Sequence, residues 1–148
     1  MREILFRGKR TDNGEWIYGD LRHISNWKGG YNPHIVDNTN GRNNSVTGLE
    51  IIPETVGQYT GLTDKNGVRI FEGDILKSTI KIIDCDDEGF SISHYDKEDI
   101  GIVEWEYNGF MIVHKPGTWA RGFYGCENYV IGNIHDNPKL LEGGEDNG

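Results

Sequence analysis

Five histidines, two cysteines and scattered carboxylates are the groups in this 148-residue sequence with the means to do chemistry. His23, His34, His94, His114 and His135 follow none of the HxH, HExxH or paired Cys/His spacings that build a metal site. His94 and His114 fall in predicted strands and could meet across a sheet. Asp136 stands beside His135, so a His/carboxylate metal-dependent hydrolase can be drawn. The simpler reading is histidines that face solvent or are satisfied in the core, and it is preferred. Cys85 and Cys126 lack CxxC spacing, and Cys126 has no recognisable nucleophile context. One disulfide fits the sequence; two free thiols in a reducing cytosol fit it better.

Carboxylates offer two further candidates. A turn phrase is written twice, as "TDNGEWIYGDL" (Thr11–Leu21) and "TDKNGVRIFEGDIL" (Thr63–Leu76). Asp20 and Asp74, each behind a glycine, form a possible acid–base or metal pair. Their setting favours a structural role: a turn glycine, an aspartate that bonds nearby backbone, then an aliphatic residue starting a strand. Gly19, Asp20, Asn66, Gly67, Gly73, Asp74, Asn108 and Gly109 are therefore read as turn and strand-start residues. Asp84, Asp86, Asp87 and Glu88 supply oxygens but lack the alternating pattern and distant bidentate Glu of a calcium loop, so a solvated turn is expected. No catalytic residue or metal ligand is assigned, and no cofactor is called for.

Aromatic residues give the one candidate binding surface. Trp27, Tyr31, Trp119, Phe123 and Tyr124 sit in or beside predicted loops, and Arg121 lies among them in "PGTWARGFYG". Rings with glycine and arginine suit a protein interface or a base-stacking loop. The plainer alternative is rings that plug the end of a barrel, and Trp105 is expected in the core.

The elements that must position these residues are short and mostly extended. β-branched and aromatic runs alternate with Gly, Asn and Asp turns, and helical periodicity is hard to find. Strands are expected at 3–7, 15–21, 46–52, 67–71, 74–83, 90–95, 100–107, 110–115 and 129–135. Asp-Asn-Gly at 12–14 and Asn108-Gly109 mark hairpins, and "DKED" (Asp96–Asp99) reads as an acidic turn. "PKLLE" after Asn137 permits one short helix. The expectation is an all-β fold, a small barrel or sandwich of eight to ten short strands with at most one or two short helices. One domain is expected over 1–142, with a long loop at 26–45 and a flexible acidic tail at 143–148.

Charge narrows the partners. With 15 basic against 24 acidic residues the net charge is −9, which disfavours phosphate-backbone binding unless Arg22, Arg69, Arg121 and the Arg2–Arg10 stretch gather on one face. No apolar run approaches a membrane span, and no leader-like apolar segment follows Met1. A cytoplasmic protein without membrane contact is expected.

"MREILFRGKR", "WIYGDL", "IIPETVGQYTGLTDKNGVRIFEGDIL", "GIVEWEYNGF" and "VIGNIHDNPKLLE" together resemble the YopX family of small phage and prophage proteins. The most specific part is Ile52–Leu76. The resemblance implies a phage or prophage origin in a bacterial host cytoplasm and a mainly β fold with barrel character. It carries no activity, substrate or catalytic residue. The expected role is a non-enzymatic accessory module that self-associates or binds a protein. The alternative is a nucleic-acid-associated protein of phage replication or regulation.

Overall fold

The structure, a computed structural model, describes residues 3–37, 48–106, 109–114, 119–123 and 126–141. About three fifths of the described residues are strand and only two short 3-10 turns are helical, so the mainly β expectation holds. Eleven strands and two 3-10 turns are found among the described residues, and the ladders do not close into a barrel. The chain forms two compact units, 1–62 and 63–148.

In the first unit β1 (Phe6–Lys9), β2 (Trp16–Ser25), β3 (Tyr31–Val36), β4 (Leu49–Glu50) and β5 (Gly57–Thr63) stand in the order β4-β3-β2-β1-β5. The Asp-Asn-Gly signal makes the expected hairpin: Lys9 pairs with Trp16, and Asn13 Oδ1 accepts the Glu15 N–H at 2.9 Å. Ile35, Val36 and Ile51 are buried, and Ile51 packs so closely on Gly8 that a Cβ there would overlap it. A 3-10 turn at Pro53–Thr55 leads into β5, and the Thr55 hydroxyl oxygen accepts the Lys9 N–H at 2.9 Å.

One expectation changes here. The stretch 26–45, read as a long loop, contains β3, laddered to β2 from Asp20↔Val36 to Ser25↔Tyr31. Pro33 hid this strand, because a proline cannot donate in a ladder. It is tolerated at the end of the β3–β4 pairing, where its carbonyl still accepts the Ile51 N–H at 2.9 Å and only its own missing N–H is lost to the ladder. Residues 38–47 lie outside the described residues.

The second unit holds β6 (Arg69–Phe71), β7 (Asp74–Cys85), β8 (Ser91–Glu106), β9 (Gly109–His114), β10 (Trp119–Arg121) and β11 (Cys126–Asn133). Five of these form a sheet in the order β10-β9-β8-β7-β11. Its core is built from Ile75 and Leu76 on β7, Ile102 and Val103 on β8, and Ile112 on β9. A 3-10 turn at Pro138–Leu141 takes the place of the expected short helix.

Three readings are corrected in this unit. "DKED" is strand, with Lys81 opposite Asp96 and Ser78 opposite Asp99. Charges are tolerated there because Asp96, Lys97 and Glu98 are exposed and have no core face to line. Trp105 is half exposed and meets Phe110 edge to face at 4.8 Å, so it is not a core residue. Trp119 and Arg121, expected in a loop, stand in β10 opposite His114 and Ile112.

Candidate interaction surfaces and buried polar hubs

The two turn phrases turn out chemically unlike. In the second, the Asp64 carboxylate is buried and collects three backbone donors. Its Oδ1 accepts the N–H groups of Asn66 at 2.8 Å and Val68 at 2.9 Å, and its Oδ2 accepts that of Val130 on β11 at 2.9 Å. Burial pushes its pKa up, but the Val130, Val68 and Asn66 donors outweigh burial and hold it below the ordinary carboxylate value. Asp74 is also buried, and its Oδ2 accepts the Phe71 N–H at 2.8 Å. These carboxylates spend their lone pairs on backbone that would otherwise be stranded, which is a structural task.

In the first phrase, Asp12 is an exposed partner of Arg10, bonded to it at 2.9 and 2.7 Å. That hydrogen-bonded ion pair lowers the Asp12 pKa and raises that of Arg10. Asp20 is exposed. The glycines differ as well. Gly73 has φ +92°, a left-handed conformation that turns the chain into β7. Gly19 lies inside β2, where the Val36 carbonyl packs against it and leaves no room for a Cβ. Gly67 takes the left-handed turn position expected of it (φ +83°), and Asn66 is anchored through its N–H. Gly109 starts β9 opposite Glu106; Asn108 lies outside the described residues.

Within their own units, two pairs of the candidate surface residues are neighbours. Trp27 and Tyr31 share the end of the β2–β3 hairpin, where Trp27 is fully exposed and Tyr31 is 69% exposed. The turn beneath them is tightly built. Asn26 Oδ1 accepts the N–H groups of Lys28 and Gly30 at 3.0 and 3.1 Å. Asn26 Nδ2 donates to Asn32 Oδ1 at 3.0 Å, and Asn32 Nδ2 donates to Glu50 Oε2 at 2.9 Å. Trp119 and Arg121 lie together on β10. Phe123 is half-buried, and its carbonyl accepts Asn128 Nδ2 at 3.2 Å; Tyr124 lies outside the described residues.

The two strand histidines lie far apart, and two of the basic candidates are engaged within the fold. His94 pairs with Ile83, whereas His114 pairs with Gly101, seven residues further along β8 or roughly 23 Å at strand spacing. Among the described residues no three His, Cys, Asp or Glu side chains converge on one point. Cys85 is an exposed free thiol. Within the Arg2–Arg10 stretch, Arg7 is buried with its guanidinium 4.7 Å from the Trp16 ring centroid, and Arg10 is engaged by Asp12. Neither is presented to a phosphate backbone. No helix among the described residues is long and apolar enough to cross a membrane.

Several of these residues escaped the sequence. Asp64 looked like one more turn aspartate, and its bond to Val130 spans 66 positions. Ser78 Oγ donates to Asn128 Oδ1 at 2.6 Å across 50 positions, which no local pattern signals.

The YopX protein family matches residues 5–142. The chain belongs to the YopX family. The matched range includes the stretch that holds Asp64 and Asp74. No curated protein matches this YopX chain. Among solved structures it is similar to the crystal structure of protein EF1440 from Enterococcus faecalis, at 22% identity. That match covers 95% of this chain and 99% of the other with a TM-score of 0.46.

Proposed function

We propose that this YopX protein is a phage or prophage accessory protein of the host cytoplasm, acting by binding to itself or to another protein rather than by catalysis. The observation that supports this reading is the β2–β3 tip. A wholly exposed tryptophan is held on a turn fixed by Asn26 and braced through Asn32 to Glu50. Tryptophan and tyrosine are the side chains that most often anchor interfaces, and a rigid turn lowers the entropy lost on binding.

The experiment is light scattering of the purified chain, combined with cross-linking capture from host lysate, for wild type and Trp27→Ala. The expected result is either an assembly larger than the 16.8 kDa monomer or a discrete captured protein. In both cases the product is lost in the variant while its melting temperature is unchanged. A strict monomer with the same captured set for both proteins would contradict the reading.

A further inference from the structure

The longest hairpin of the second unit outgrows its sheet. β7 pairs with β8 from Ile75↔Ile102 out to Cys85↔Ser91. On the other side of β7, β11 reaches only as far as Ile80. On the other side of β8, β9 reaches only Gly101. Among the described residues, 81–85 and 91–100 therefore have a ladder partner on one side only. An isolated two-stranded ribbon is marginal in water, and its outer edges carry unpaired N–H and C=O groups.

Folded chains usually blunt such edges, and this arm is charged. Seven carboxylates (Asp84, Asp86, Asp87, Glu88, Asp96, Glu98 and Asp99) face two lysines (Lys81 and Lys97) between positions 81 and 100. The arm nevertheless presents apolar surface, since Ile83 is 55% and Phe90 66% exposed. The turn itself is fixed, because Asp86 Oδ1 accepts the N–H groups of Glu88 and Phe90 at 2.9 Å.

We infer that the outer edge of β8, residues 91–100, takes an added strand from a partner protein, and that this strand is positively charged. Strand addition uses backbone hydrogen bonds for affinity and alternate side chains for specificity. The arm's charge selects the occupant. A second copy of the same arm, or a nucleic acid, brings more negative charge to an acidic edge. A lysine- or arginine-bearing strand pairs the open backbone edge and sets its cations beside Asp96 and Glu98, which share one face of β8. This inference deepens the binding role proposed above and rests on it, but it uses a different part of the chain from Trp27.

The test is amide hydrogen exchange on the full chain with two synthetic decapeptides, one alternating Lys with Val and one alternating Glu with Val. With the Lys peptide, exchange-exposed amides in 91–100 are expected to slow about tenfold or more. The Glu peptide is expected to leave them unchanged. Protection should fade as salt rises from about 0.05 M to 0.5 M, where screening is strong. Asp96→Asn with Glu98→Gln, both exposed positions, should weaken Lys-peptide binding about tenfold without moving the exchange of the core strands. No protection by the Lys peptide overturns the inference and makes the charges a guard against pairing; equal protection by both peptides overturns the charge selection. Trp27-dependent assembly persisting in that case would leave the wider binding role intact.

Discussion

The phrase at 63–76 and the phrase at 11–21 share their letters and differ in what surrounds them. In the second, two aspartates are buried: Asp64 accepts three backbone N–H groups and Asp74 accepts that of Phe71. In the first, Asp12 lies on the surface beside Arg10, and Asp20 is exposed. A turn motif specifies local geometry; whether its aspartate bears structure depends on what the rest of the chain lays over it. Val130 is that covering element for Asp64, and among the described residues Asp12 has no counterpart to it.

The largest effect expected from this contrast is at Asp64. Asp64→Ala strands three backbone donors and should destabilise the second unit by about 3 kcal/mol or more, read by urea unfolding. Asp74→Ala leaves the buried Phe71 N–H without this acceptor and should cost about 2 kcal/mol by the same measurement. Gly19→Ala should cost roughly 1–3 kcal/mol, because its Cβ meets the Val36 carbonyl. Hydrogen exchange should place that damage in β2 and β3 and leave β7 and β8 alone. Asp12→Ala, at the exposed end of the contrast, should leave the melting temperature unchanged within error. A loss at Asp12 as large as that at Asp64 would end the distinction between the two phrases.

Strand content and the hairpin at 12–14 were legible because alternation and turn residues act over a few positions. Asp64 was not, because its third donor comes from the far end of the chain. Nor was β3, where Pro33 mimics a loop, or the middle of β8, where exposed Asp96, Lys97 and Glu98 have no core face to line. The candidate surface was legible as residue types but not as groups. Trp27 and Tyr31 share one hairpin end, Trp119 and Arg121 share β10, and Phe123 is half-buried. Ile83 and Phe90 drew no attention in sequence, since exposure of an apolar residue is set by how far a hairpin extends past its sheet.

The claim that the second phrase is a structural knot is tested most directly by the pH dependence of stability in wild type and Asp64→Asn. The three backbone donors depress the folded-state pKa of Asp64 below its unfolded value of about 4. Its contribution is therefore fully present above that unfolded value and is lost as pH falls through the depressed one. Urea unfolding from neutral pH down to about pH 2 should show wild type more stable than the variant at neutrality. The gap should narrow steadily below about pH 4 as the carboxylate takes up its proton. A gap of constant size across that range, or none at neutral pH, would contradict the account.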